Sequence, residues 1–202
     1  MAHMEPLSKE EAFAAVPELR AASEKLESKF GFIPNSIRTM ARRPELVVGF
    51  MALQKGAMAP GDIPFELKKL VSHVASKAAG CVYCQGHSAY TSGRAGIEAE
   101  RLEKLWEYQS SYLFTDAERV AFDYAIAAAS VPNQVTPELH ARLSEHYDDG
   151  QIVELLGVIS LFGFLNRWND SMATELEDPA VIYTSELLGD QGWEAGKHSK
   201  QP

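Results

Sequence analysis

The sequence predicts an all-α fold, and three observations predict it. Leu67, Leu70, Val71, Val74, Ala75 and Ala78 recur at the spacing of one helix face. Ser8 with Glu11, and Thr115 with Glu118, are capping boxes that open helices. No β-alternating run bounded by hairpin turns occurs, and there is no short-period repeat or low-complexity segment.

The elements follow in order. Ser8 opens a first helix, and a charged run from Glu18 to Phe30 makes a second that stops at Gly31. Phe32-Ile33-Pro34-Asn35 reads as a turn, followed by helical runs over Ile37–Ala41 and Glu45–Met58. Gly61-Asp62 breaks the chain, with Asp62 as the expected cap and Pro64 at a first helical position. The apolar helix from Leu67 runs to Gly80, a natural bend, and a new helix starts near Cys81 and closes at Gly93 and Gly96. One helix is expected from about Ile97 to Tyr108, another from Thr115 to about Ala129, ended by Pro132. Thr136-Pro137 opens the next. The run from Gln151 to about Met172 is apolar on most sides, which predicts a helix buried in the core or shared with a neighbouring subunit. Asp178-Pro179 opens a last short helix, and the polar tail after Gly189 is expected to be loose.

The chain has 202 residues, enough for a substantial core, and its organisation reads as one domain over residues 5–190 with a tail at 191–202. Met1-Ala2-His3-Met4 reads as a cloning remnant. With a formal charge of −9 and basic residues scattered, it lacks the basic stripe that a nucleic-acid binder needs. The adjacent pair Arg42-Arg43 reads as solvated surface. The longest apolar run, Ile152–Leu165, is too short to span a bilayer, and no basic-then-apolar leader is visible, so a cytoplasmic location is the default expectation.

Chemistry concentrates in Cys81-Val82-Tyr83-Cys84-Gln85-Gly86-His87. Cys81 and Cys84 are the only cysteines, and their spacing puts both thiols on one helix face with His87 one turn further on. A helix N-terminus or a nearby imidazolium lowers a thiol pKa from near 8.5 to roughly 3.5–7.5. Such a thiolate attacks a peroxide oxygen, becomes a sulfenic acid, and is resolved by a second thiol to a disulfide. Cys84, beside His87, is the expected attacker, Cys81 the resolver and His87 the base; turnover then needs an external thiol reductant. Zinc is the competing reading: the pair supplies two ligands, with His87 and His73 as further candidates, but no second CxxC is present. Gln85 stands where c-type haem attachment needs histidine, and thioredoxin-type exchange belongs to a βαβ setting. The blandest alternative is a pair of small buried thiols on an apolar helix.

Gly80 to His87, preceded by the helix Leu67–Ala79, resembles the core of the carboxymuconolactone decarboxylase superfamily, and more closely its alkyl hydroperoxidase D-like, peroxidase-related branch. Gly31-Phe32-Ile33-Pro34-Asn35 with Pro44-Glu45-Leu46 resembles the front of that branch, and Asn166-Arg167-Trp168-Asn169-Asp170 its rear. The resemblance implies an all-helical fold assembling into homo-oligomers, with peroxide-reducing or disulfide-forming activity at the two cysteines. It also implies attack by the second cysteine, here Cys84, and a proton relay of histidines and an upstream glutamate. The sequence departs from that relay. His87 follows Cys84 by three residues instead of four, Tyr83 stands at a relay histidine, and Lys69 stands at the glutamate. Glu66 and His73 are the nearest replacements. On one unbroken helix His73 and Cys84 would lie about 16 Å apart, so a relay role for His73 requires a bend near Gly80 or a bridging water. Lactone decarboxylation is the weaker alternative, since its chemistry does not rest on a CxxC pair.

These residues carry bland readings too. His73 is a lone histidine on an apolar helix, Glu66 an acid favoured by the helix dipole, and Tyr83 a packing residue. Asn166, Trp168, Asn169 and Asp170 close the most apolar helix as caps or partner contacts, and Met51 and Met58 belong to the core. The expectation is a thiol oxidoreductase acting on hydroperoxides, with no cofactor, no nucleic-acid partner and no membrane.

Overall fold

Capping chemistry sets where the helices begin. The computed structural model describes residues 2–200, the side chains of 29 and 30 apart. Ser8 and Thr115 each accept from the backbone N–H three residues on, and Glu11 and Glu118 answer them, opening α1 (Lys9–Ala15) and α8 (Asp116–Ala129). Helix α2 (Glu18–Phe30) stops at Gly31, whose φ of 84° takes the left-handed conformation that a side chain resists. Helices α3 (Asn35–Met40) and α4 (Pro44–Ala57) follow. In α5 (Phe65–Ala78) the cap position falls to Pro64, so Asp62 does not cap it as expected. Gly80, φ 73°, turns the chain into α6 (Val82–Arg94).

The helix expected over Ile97–Tyr108 is shorter and broken: α7 covers Ala99–Glu103 and a 3₁₀ turn covers Leu105–Glu107. Helix α9 (Pro137–Ser144) is followed by α10 (Asp149–Met172), which opens two residues early because Asp148 and Gln151 form a third capping box. Helix α11 (Asp178–Leu188) begins after Glu177, whose side chain makes no cap hydrogen bond. No strand occurs among the described residues.

Three apolar clusters hold the helices together. The largest joins α5, α8 and α10, where Leu70, Val71, Val74, Ala75, Phe122 and Val158 are fully buried. Each Leu or Val so buried stabilises the fold by about 1.5–3 kcal/mol before entropy is subtracted. A second packs α1 to α4 against Leu161 of α10. The third contains Cys81 and Cys84 and joins α6 to α11 and to the chain beyond it. Helix α10 has 24 residues and meets the length and composition of a membrane span, contrary to the shorter run read from the sequence. It packs on α4, α5, α6 and α8, but only 33% of its apolar stretch is buried, and Val153 and Leu156 are exposed.

The chain after Gly189 is not loose. Trp193, Ala195 and His198 are buried, and Leu176 N–H donates to His198 O at 2.8 Å. A polar composition concealed these three anchors. They lay the segment across the first turns of α6.

Candidate functional site

The cysteine pair sits where helix α6 starts. Cys81 is its N-cap, and Cys84 N–H donates to Cys81 Sγ at 3.5 Å. The two thiols are free and close rather than bonded, and their residues are 0% and 2% exposed. Asn169 Nδ2 of α10 lies 3.5 Å from Cys84 Sγ and also donates to Leu165 O at 3.0 Å.

The two thiols are electrostatically unequal. The Cys84 thiol, donating to Cys81 Sγ, holds the Cys81 pKa below its ordinary value, and the Cys84 N–H and Lys197 act in the same direction. Burial pushes Cys84 well up, and the neighbouring Cys81 pushes it further. The inequality favours thiolate character at Cys81, the sulfur that caps the helix, over Cys84.

His87 lies on the same helix, partly buried, with its ring stacked on Tyr83 at 5.8 Å and edge-on to Phe32 at 5.6 Å. Burial lowers its pKa to about 3, with Lys69 adding repulsion. At neutral pH it is an uncharged imidazole, so it supplies no positive charge to a thiolate. The bend at Gly80 folds α6 back along α5, and His73 Nδ1 meets Ser88 Oγ at 2.9 Å across fifteen residues of sequence. His73 is therefore brought to the α6 side, as its relay reading required, but burial and the charges of Lys77 and Lys69 lower its pKa to about 4. Lys69 itself is buried, its ammonium on Thr91 Oγ1 of α6. The repulsion of this buried cation adds to the burial that lowers both histidines.

Glu66 is placed elsewhere. It is ion-paired with Arg101, which also holds Glu118 at 2.6 Å. That arrangement ties α5 to α7 and α8 and answers no need of the thiols.

Tyr83 has a partner that the sequence reading missed. Its hydroxyl lies 3.2 Å from Glu177 Oε1 and 3.4 Å from Oε2, and Asn35 N–H donates to Oε1 at 2.6 Å. Glu177 is 9% exposed, and burial raises its pKa to about 7. The His198 ring stands 5.9 Å from Tyr83, and His198 Nδ1 is 2.7 Å from Thr174 O. The only advance signal for Glu177 was its place before Asp178-Pro179 at a helix start, which reads as capping. His198 and Trp193 had none.

A small cleft of about 90 Å³ opens beside the motif, lined by His73, Lys77, Gln85, Leu188, Gln191, Gly192 and Trp193. Trp193 lies against Gly86, whose missing Cβ leaves room for the indole. Among the described residues no three His, Cys, Asp or Glu side chains are grouped to hold a metal ion, which counts against zinc at Cys81, Cys84 and His87.

The chain is similar in sequence and fold to known proteins. A family model described as the carboxymuconolactone decarboxylase family matches residues 44–127. The debrominase Bmp8 is similar at 32% identity, with a TM-score of 0.83 over 91% of this chain and 96% of that one. One of its solved structures is a cysteine-to-alanine variant in complex with 2,3,4-tribromopyrrole. A peroxidase-related protein from Ralstonia eutropha JMP134, described as an alkylhydroperoxidase AhpD core, shares the fold at 19% identity and a TM-score of 0.77, over 89% of this chain and 94% of that one. The uncharacterized protein YnjA of Escherichia coli (strain K12) is 26% identical over 149 residues, 71% of this chain and 79% of that protein.

Proposed function

This chain belongs to the carboxymuconolactone decarboxylase family, and we propose that within it the protein is a two-cysteine thiol oxidoreductase that reduces hydroperoxides. The observation that carries the reading is the buried, unbonded pair at the start of α6, with Cys84 N–H donating to the capping Cys81 sulfur, which favours thiolate character at Cys81 over Cys84. The Cys81 thiolate attacks the terminal peroxide oxygen, the O–O bond breaks, and the alkoxide leaves as an alcohol once protonated. Cys81 is then a sulfenic acid. Cys84 gives up its proton and attacks that sulfur, water leaves, and a Cys81–Cys84 disulfide forms. An external dithiol returns the two electrons.

The likeness to the debrominase supports a second substrate class, halogenated aromatics. There the same thiolate would take the halogen from an aryl carbon that gains a proton, and Cys84 would displace halide to give the same disulfide.

Intact-mass spectrometry of reduced protein given one equivalent of cumene hydroperoxide, or of a brominated pyrrole, separates the two. Loss of two hydrogens within seconds, mapped to Cys81–Cys84, is expected with the true substrate class. In Cys84→Ser a Cys81 sulfenic acid should accumulate, while Cys81→Ser should stay unmodified. Thiols that remain reduced with both reagents would overturn the reading. A sulfenic acid on Cys84 in Cys81→Ser would restore Cys84 as the attacker.

A further inference from the structure

The Cys84 sulfur closes the disulfide, yet burial works against its charged form. Beside it stand Cys81, its reaction partner, and Asn169 of α10, whose Nδ2 lies 3.5 Å from Cys84 Sγ. That is hydrogen-bond distance for an atom as large as sulfur.

The Asn169 amide is held in one orientation. Its Nδ2 also donates to Leu165 O at 3.0 Å. A carbonyl oxygen only accepts, so the amide nitrogen and not its oxygen faces Leu165. One N–H is taken there, and the second is left for Cys84 Sγ. The remaining atom, Oδ1, is buried with no hydrogen-bond partner among the described residues, and Asn169 is 0% exposed. On this side α10 otherwise packs Phe162 and Leu165 against the cysteine cluster. An amide left half-satisfied in such a place destabilises the core, and a leucine of similar size would carry no such cost. Packing alone therefore does not account for asparagine at this position.

We infer that Asn169 is a catalytic residue of disulfide formation, its amide N–H holding the Cys84 sulfur more tightly as a thiolate than as a thiol. The inference rests on the two-cysteine reading above and supplies what stabilises its second sulfur. A hydrogen bond onto a charged atom is roughly twice as strong as one onto a neutral atom, so the contact favours the state in which Cys84 attacks. In that step Cys84 gives up its proton and its sulfur attacks the Cys81 sulfenic acid. The S–S bond forms, the S–O bond breaks, and the hydroxyl leaves with the electron pair and takes up that proton as water.

The charged groups around the pair do not do this for Cys84. Asp170, next to Asn169 on α10, raises both thiols. Lys197 lowers Cys81 and is paired with Asp170 at 2.7 Å. His198 Nε2 lies 3.9 Å from the same carboxylate. Burial and Cys81 push Cys84 up, and Asn169 pulls it down.

4,4′-Dithiodipyridine tests the inference without any hydroperoxide. Cys81 attacks the probe and releases one thiopyridone; Cys84 then attacks the mixed disulfide and releases the second. Stopped-flow absorbance resolves the two releases, and the second is unimolecular, so it does not depend on how readily the probe enters. A hydrogen bond to a charged group is worth about one to two pKa units. A more basic thiolate is also a better nucleophile, so roughly half of that shift survives in the rate. In Asn169→Leu the second release should slow about three- to tenfold at pH 8. Its urea midpoint should hold or rise, because the unpaired Oδ1 is gone. A second release that keeps its rate in Asn169→Leu would overturn the inference and leave the two-cysteine reading standing. Slower release together with a lower urea midpoint would assign Asn169 to packing and overturn it too. No second release from the unaltered protein would overturn the two-cysteine reading and the inference with it. Asn169→Asp, of the same shape, puts an oxygen where the N–H stood, should slow the second release at least as much, and decides the matter if Asn169→Leu does not fold.

Discussion

Glu177→Gln should double the acid sensitivity of the fold. Three groups with large shifts dominate the change in stability between pH 7 and 5, and His198, also held below its ordinary value by burial, adds equally to the loss in both proteins compared below. His73 and His87 have folded pKa values of about 4 and about 3, against 6.5 when unfolded. The unfolded chain therefore takes up their protons first, and the stability present above pH 6.5 is lost as pH falls. Over those two pH units each histidine loses about 2 kcal/mol, or about 4 kcal/mol for the pair, at 1.36 kcal/mol per unit of differential protonation. Glu177 has the opposite sign. Its folded pKa of about 7 lies above the unfolded 4.5, so the folded state binds the proton first and gains stability as pH falls through 7. That gain is about 2 kcal/mol over the same interval. The unaltered protein should lose a net of about 2 kcal/mol between pH 7 and 5, and Glu177→Gln about 4 kcal/mol, because the offset is gone. Urea unfolding followed by circular dichroism at pH 7, 6 and 5 measures both. Equal losses in the two proteins would refute the burial-driven shift at Glu177. No loss in either would refute the neutral burial of the histidines.

Two further predictions concern the chain that covers the site. Trp193→Ala should expose the start of α6: iodoacetamide should label Cys81 faster, at a stability cost of about 3 kcal/mol for a truncated buried aromatic, and labelling at the original rate would show that Trp193 does not cover the thiols. Gly86→Ala places a Cβ 2.6 Å from Leu176 Cδ2 and 2.9 Å from Trp193 Cζ2. Overpacking of this kind costs about 1–3 kcal/mol, read as a lower urea midpoint, and an unchanged midpoint would mean that the Trp193 segment gives way freely.

Helix identity was legible because it is written locally. Ser8, Thr115 and Thr136 are caps recognisable from the residues that follow them, and Gly31 and Gly80 mark turns that need positive φ. Where capping competed, the reading slipped. Pro64 displaced Asp62 as the cap of α5, and Asp148 opened α10 earlier than its apolar run begins. Residues 189–198 were misread because composition reports the average of a segment, whereas Trp193 and His198 are single anchors in a polar stretch.

The spacing of the two cysteines is legible for the same local reason, but the electrostatic inequality between them is not. Spacing alone favoured Cys84, since His87 follows it by one turn. Whether that histidine carries charge depends on burial and on Lys69, eighteen positions upstream and across the α5–α6 packing. Which sulfur is the better thiolate depends on which one caps α6 and which one is enclosed by α10 through Asn169. Glu177 lies 94 positions from Tyr83, so no window of sequence joins them. The acid–base groups of this site come from α3, α5, α6, α10 and the loop before α11. A local motif can name its nucleophiles, but the charge each group carries is a property of the packed helices around it. The replacement of a carboxylate by Lys69 makes the point sharpest. In the sequence it looks like a lost relay residue, whereas in the folded protein it is a buried cation whose repulsion adds to burial in lowering the pKa of two histidines, while burial raises Glu177 to about 7.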